Sequence, residues 1–412
     1  MASDLAPSKG RVLMLSNDRQ IDRRILLQAD SLQAAGWQVT ILAMPLDHPD
    51  ASADPRVVRI GTRVGGLGGK ASRVLEGYRL LRRWLPMNGY AMRQLKALAW
   101  RFLVEPERFY LRLFLADGRR YPAQVVVAHD LPMLAVGRAL ACEFSAALVY
   151  DSHELYSEQE FSRREQRRWA RIEGKHVQAC DRVITVNPSI AGELRGRYGL
   201  AQVEVIYNAE RLPEHMPASN YLHERFAIPG GHRVLLFQGG LSAGRNLPAL
   251  IRAMARVRPD IHLVLLGEGQ LGNALQRLVK RLGVQRQVHF HPAVAQQALL
   301  PITASADAGI IPYQGICLNN RLCTPNKLFE FIATGLPILA SDLPELNRLV
   351  AGNGIGLVAR LATPEQMARA IDELLFDPER LQAWRERLLE VRKALCWQRE
   401  GQRLVQIYEG LR

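Results

Sequence analysis

The run Arg233, Val234, Leu235, Leu236, Phe237, Gln238, Gly239, Gly240 decides how this chain is read, because a short unbroken apolar segment gives way to a polar, glycine-containing loop. Such a run has the length of a strand buried on both faces, and glycines directly after it let the backbone approach a ligand. A helical pattern follows at Leu247 to Arg256, then a second apolar run at Ile261 to Leu266. Strand, helix and strand at this spacing make a βαβ unit. The same order occurs earlier: Arg11 to Leu15 ends in the polar loop Ser16 to Gln20, followed by a helical pattern at Ile25 to Ala35 and a run at Gln38 to Ala43.

Two βαβ units therefore open two domains. Runs at Val125 to Ala128, Ala147 to Tyr150, Arg182 to Val186 and Val203 to Ile206 extend the first sheet; Val288 to Phe290, Ala308 to Ile311, Pro337 to Ala340 and Ile355 to Val358 extend the second. Strands alternating with helices predict α/β domains with parallel sheets and helices on both faces. Asn208 to Pro217, with two prolines and mixed charge, reads as the linker. The expected division is residues 1–210, then 218–395, with 396–412 as a terminal helix. Facing each other, the domains put the carboxyl ends of both sheets around one cleft.

With 412 residues the chain is long for a single core, and 48% apolar with 23% charged residues is a globular composition. Five scattered cysteines without a CxxC pair fit a reduced cytoplasmic compartment and no structural metal. Met1 to Gly10 lacks the apolar segment of a secretory signal, and no long uncharged apolar run is present. The formal charge of +14 is concentrated. Between Arg56 and Arg120 about fifteen Lys and Arg face only Glu76, Glu105, Glu107 and Asp117, interleaved with aromatics from Tyr78 to Phe114. That pattern suits an anionic membrane surface, with solvated helical faces over core aromatics, or nucleic-acid binding, as alternatives.

The chemistry-bearing residues cluster at carboxyl ends of strands. Thr324 suits an N-cap, Pro325 the first helical position, and Gly335 the left-handed residue after the last turn. Lys327 then sits near the positive end of the helix dipole, where a bound anion would reverse an unfavourable interaction, and Asn326 and Glu330 share its face. An ordinary amphipathic helix with a solvated Lys is the plain alternative. Arg245, after Gly239 and Gly240, can reach a diphosphate. In the first domain His153 follows one strand beside Asp151 and Glu154, and His129 with Asp130 follows another. Gly267 to Gly272 fits GxGxxG but follows the second strand of its domain and has no acidic residue about twenty positions on, which argues against a dinucleotide site. Gly61 to Lys70 fails as a P-loop, and no Asp-x-Asp pair offers a metal clamp.

Asp22 to Arg24, His129 with Asp130, Tyr150 to Glu154, Asp181 to Asn187, Gly239 to Asn246, Gly267 to Gly269 and Pro325 to Pro337, taken in this order and spacing, resemble the family 4 glycosyltransferases over nearly the whole chain. The likeness is to the bacterial polysaccharide and lipopolysaccharide branch of that family. It implies the GT-B fold, two facing Rossmann-like domains, and a retaining, metal-independent transfer from a nucleoside diphosphate sugar to a saccharide acceptor, often lipid-linked at the cytoplasmic membrane face. The donor would lie against Gly239, Gly240, Arg245, Gly267, Gly269, Thr324, Asn326, Lys327 and Glu330, with Glu330 on ribose hydroxyls. His153 would face the transferred sugar, making His153, Arg245, Lys327 and Glu330 the catalytic set. Asp22, Arg23, Arg24, His129 and Asp130 would face the acceptor. No cofactor, metal or nucleic acid is implied, and an anionic membrane surface is the expected partner of the basic stretch, placing the enzyme peripherally at the inner face of the membrane. Two departures stand out: Leu322 replaces the first glutamate of the family's Glu-x7-Glu motif, as in the branch with a Pro-Asn-Lys signature, and Gly240 replaces an arginine, leaving Lys327 as the substitute cation. The resemblance also implies that Trp397 to Leu411 crosses back onto the first domain. A sugar-nucleotide 2-epimerase on the same architecture, and a degenerate non-catalytic membrane scaffold, are the rival readings.

Overall fold

The structure, a computed structural model, describes residues 9–46, 54–61, 105–213 and 219–411. Strands β1 (Gly10–Ser16), β2 (Trp37–Ala43), β3 (Val57–Arg59), β4 (Val125–His129), β5 (Ala147–Ser152), β6 (Arg182–Thr185) and β7 (Glu204–Val205) form one sheet in the order β3-β2-β1-β4-β5-β6-β7. A second sheet, ordered β10-β9-β8-β11-β12-β13, is built from β8 (Arg233–Gln238), β9 (Ile261–Leu266), β10 (Val288–His291), β11 (Ala308–Ile311), β12 (Ile338–Ser341) and β13 (Gly356–Ala359). All the pairings are parallel. Continuous apolar runs are what such strands require, since helices cover both faces: β4, β9 and β11 are buried at every position.

Strand order reverses between β1 and β4 in the first sheet and between β8 and β11 in the second. At such a switch point the connections leave in opposite directions and open a crevice at the carboxyl ends of the strands. Ser16 and His129 end the strands at the first switch point; Gln238 and Ile311 end those at the second.

The Arg23–Ala34 helix buries Ile25, Ala29 and Leu32, one helical stripe, against Val12 and Met14 of β1. The same cluster takes in Trp397, Leu404 and Tyr408 from the Trp397–Glu409 helix, whose Trp397 Nε1 donates to Ser31 Oγ at 2.9 Å. A helix that follows the whole second sheet in the chain thus finishes the core of the first.

Of the basic aromatic stretch, β3 and the Pro106–Gly118 helix are described. Tyr110 and Phe114 of that helix are core residues, packed in one cluster with Leu134 and Leu140. Residues 62–104, which carry most of the stretch, and 214–218 of the linker lie outside the described residues. Among the described residues no helix is long and apolar enough to cross a membrane.

Candidate active site

One cleft of about 610 Å³ lies between the two sheets, with Arg24, His153 and Glu154 on the side of the first. On the side of the second sheet its wall includes Gln238, Gly239, Arg245, Tyr313, Lys327 and Glu330. The Asn326–Thr334 helix starts one residue later than the sequence suggests: Pro325, extended at φ −70° and ψ 146°, precedes it, and Lys327 is its second residue. Thr324 does not cap it, because the Thr324 hydroxyl faces the first domain and accepts from Asn187 Nδ2 at 3.3 Å. With no side-chain cap, the first-turn amides open beside Asn326 and Lys327 in the cleft wall. Gly335 ends the helix at φ 73°.

Lys327 is 5% exposed, yet its Nζ has no hydrogen-bond partner. It lies 3.7 Å from the Phe237 ring centroid and 5.0 Å from that of Tyr313, while the Arg245 guanidinium covers the Tyr313 ring at 3.9 Å. Burial, and then the charge of Arg245, push the Lys327 amine well below its ordinary value, and Glu330 offsets only part of this. Two neighbouring cations at an uncapped helix start are costly alone and become favourable around a polyanion. Glu330 Oε2 accepts from Gln238 Nε2, and Gln238 Oε1 accepts from the Thr303 hydroxyl at 2.8 Å. Burial raises the Glu330 carboxyl, with the charge of Arg23 opposing it.

The glycines of GxGxxG serve close packing of loops. At Gly267, φ is +133° and a Cβ would stand 2.2 Å from the Gly239 carbonyl oxygen; at Gly269 it would stand 2.5 Å from that of Leu241. The loop after β9 is thereby pressed against the loop after β8. Gly239, Gly240 and Gly267 line the cleft, whereas Gly269, expected beside the donor, is outside its lining.

The wall of the first domain is organised around His153. Its Nε2 lies 2.8 Å from Asp151 Oδ2, its Nδ1 3.3 Å from Asp130 Oδ2, and its backbone N–H donates to Asp130 Oδ1 at 3.0 Å. Asp151 Oδ2 also faces His129 Nδ1 at 3.0 Å and accepts from Gln28 Nε2 at 2.7 Å. Burial disfavours the His153 imidazolium, but the carboxylates of Asp130 and Asp151 outweigh it and raise the group to about 10. Asp151 is held well below the usual carboxylate range in spite of its burial, by His153 and His129. Asp130 sits at φ 62° and ψ 163°, a backbone region that side chains rarely tolerate, with its carboxylate beside His153 Nδ1. His129, Asp151 and His153 bring candidate ligand atoms within 4.8 Å of one another. With the Asp151 oxygen already facing three nitrogens, the arrangement is that of an imidazolium held between carboxylates.

Of the expected acceptor-side residues, Arg24 lines the cleft, while Asp22, Arg23, His129 and Asp130 stand outside its lining. Arg23 and Arg24 open the helix that Asp22 caps; the Asp22 carboxylate accepts from Arg24 N at 2.9 Å and pairs with the Arg24 guanidinium at 2.7 Å. Arg23 abuts Glu210. The sequence reading sets Asp151 beside His153 but gives it no role, although a spacing of two puts both on one face of an extended segment. Tyr313, Gln238 and Asn319 escaped it for want of any local signal.

Leu322 has a physical place. It packs, 8% exposed, in the first domain's cluster with Val186 and Ile190, and its carbonyl accepts from Asn187 Nδ2 at 2.8 Å. The short Leu318–Leu322 helix therefore crosses the seam between the domains. Asn319 Oδ1 accepts from Leu155 N at 3.0 Å, and Asn319 Nδ2 donates to Glu154 Oε2 at 2.8 Å.

The family described as "Glycosyl transferase 4-like domain" matches residues 21–209, and that described as "Glycosyl transferases group 1" matches residues 232–377. The chain belongs to the family 4 glycosyltransferases. An uncharacterised glycosyltransferase of Methanocaldococcus jannaschii is 26% identical over 207 residues, 47% of this chain and 51% of that one. The MMP α-(1→4)-mannosyltransferase of Mycolicibacterium hassiacum is 24% identical over 331 residues, 74% of this chain and 75% of that one. The chain spans about half the length of several of the curated relatives it matches. Anabaena HepE, solved in complex with UDP and glucose, superposes with a TM-score of 0.70 at 16% identity, covering 97% of this chain and 100% of that one. The two facing parallel α/β domains are those of the GT-B glycosyltransferases.

Proposed function

We propose that this glycosyltransferase moves a sugar from a nucleoside diphosphate donor to a hydroxyl of a saccharide acceptor, with retention and with side chains rather than a metal meeting the charge of the leaving diphosphate. One observation carries the reading: Lys327, buried without a partner, and Arg245 share the cleft wall beside an uncapped helix start. Breaking the anomeric C–O bond places negative charge on the leaving phosphate, so stabilising that charge does more to lower the barrier than anything else the site can offer. Lys327, Arg245 and the amides after Pro325 provide that stabilisation. On front-face attack the departing phosphate oxygen takes the proton of the acceptor hydroxyl as the new C–O bond forms, which needs no separate base. With both ring nitrogens facing carboxylates, His153 positions the wall next to the sugar rather than accepting that proton. Glu330, held by Gln238, is the residue we assign to the ribose hydroxyls.

The Arg56 to Arg120 stretch supports a lipid-linked acceptor at the inner membrane face, in cell-surface polysaccharide or lipopolysaccharide synthesis. Salt-sensitive sedimentation with anionic but not neutral liposomes is the expected result; equal binding to both overturns the membrane part. A thermal-shift series with UDP, GDP, dTDP and ADP tests the site itself, since a ligand bound only by the native state raises the midpoint. One nucleotide should stabilise wild type and fail to stabilise Lys327→Ala; no response to any of them would refute the donor site. Release of an isomerised sugar nucleotide without acceptor would instead identify an epimerase.

A further inference from the structure

Once Lys327, Arg245 and Glu330 are given to the diphosphate and ribose, the cleft retains a polar pair hydrogen-bonded from one domain to the other, Glu154 from the first and Asn319 from the second. We propose that this pair is the reader of the donor sugar's hydroxyls, a role that rests on the donor site described above. The Glu154 carboxylate accepts from Asn319 Nδ2 at 2.8 Å and from Gln159 Nε2, while the Asn319 carboxamide oxygen is fixed by the Leu155 amide at 3.0 Å. Both side chains are thus held in one orientation before any ligand arrives. A carboxylate beside a carboxamide NH2 offers one acceptor and one donor at adjacent points, which matches the donor and acceptor character of a sugar hydroxyl. Neighbouring groups are less suited: His153 has both nitrogens committed to carboxylates, and Arg24 is committed to Asp22.

Position supports the same assignment. Asn319 and Lys327 flank the segment Leu322 to Thr324, and Leu322 is pinned in the core of the first domain, so the carboxamide is tied to the seam on the side of the cleft where His153 and Glu154 stand. A sugar projecting from a diphosphate at Lys327 toward the first domain meets this pair. Because each partner belongs to a different domain, the hydroxyls are read only when the domains are together. Buried polar groups built to hydrogen-bond a hydroxyl reject a sugar lacking it, or carrying it in the other configuration, far more strongly than an apolar pocket would.

The test is calorimetry with two ligand pairs, UDP with UDP-glucose and GDP with GDP-mannose, on wild type, Glu154→Gln, Asn319→Ala and Glu160→Ala. Glu160 takes a hydrogen bond from Asn320 at 3.3 Å across the same seam but is outside the cleft lining, so it controls for loosening of the domains. The expected result is that Glu154→Gln and Asn319→Ala bind the free diphosphate as wild type does. They should lose about tenfold or more of the advantage of each sugar nucleotide over its own free diphosphate. Glu160→Ala should keep both. An unchanged advantage in the first two variants, or an equal loss in Glu160→Ala, overturns the proposal while leaving the donor site standing. Absence of diphosphate binding in wild type would remove the donor site itself, and the proposal with it.

Discussion

Lys327 and His153 are both basic, both buried and both face one cleft, yet the two domains treat their charges in opposite ways. His153 is enclosed by its own counter-charges, Asp130 and Asp151, and its cationic form is stabilised with no ligand present. Lys327 lies against aromatic rings and beside another cation, with Glu330 offsetting only part of the penalty, and its cationic form is disfavoured until something more negative arrives. A buried charge that is already paired holds a wall in shape, whereas one left unpaired marks where a ligand completes the electrostatics.

The largest expected effect falls on the paired side. Asp151→Ala leaves Gln28, His129 and His153 without their common acceptor and should cost about 3–5 kcal/mol, read as a fall in urea midpoint. A loss within experimental error would mean that the network is not a stabilising unit. Next comes Lys327→Met, for which stability and turnover should move in opposite directions. Replacing an unpaired buried amine by an apolar side chain of similar length should raise the thermal midpoint, while turnover falls about 100-fold, as it should in Arg245→Ala. If Lys327→Met lowers both, the ammonium has a partner in the free protein and the contrast fails.

Alkaline titration separates the walls more gently. For His153 the folded value, about 10, exceeds the ordinary 6.5, so its stabilisation is complete below 6.5 and disappears as pH rises through about 10. The deficit of His153→Gln should therefore shrink across that window. For Lys327 the folded value is depressed below 10.5, so the penalty it imposes is greatest at lower pH and fades toward 10.5. The stability gain of Lys327→Met should fade with it. Two fading differences of opposite sign, measured by urea denaturation at several pH values, would confirm the comparison; slopes of the same sign would break it. The smallest effect is calorimetric: diphosphate binding above the free-protein value of Lys327 should take up about one proton, visible as a dependence of the heat on buffer ionisation enthalpy, and absent in Lys327→Met.

Much of the fold was legible because strands buried on both faces must be apolar throughout. Ile261–Leu266 and Ala308–Ile311 are β9 and β11 to the residue. The edge strand Val57–Arg59 is too short and too close to basic residues to show such a run. Within the site, Lys327 was visible because its conflict with the helix dipole is local. Thr324 misled because its hydroxyl is claimed by Asn187, a residue far away in sequence. Leu322 looked like a missing glutamate, and its reason for being apolar, a pocket in the opposite domain, is a tertiary fact. Asn319 and Glu154 meet across the same seam and could be paired only in three dimensions.

The Trp397–Glu409 helix also imposes an order of events during synthesis. Val12, Met14 and Ile25 leave the ribosome early, but Trp397, Leu404 and Tyr408, which cover them, emerge only after every strand of the second sheet. Domains usually fold as they are made, first one first. Here the domain translated first is the last to be sealed, so a stalled or truncated chain would display that apolar face to chaperones and proteases while its second domain was already complete.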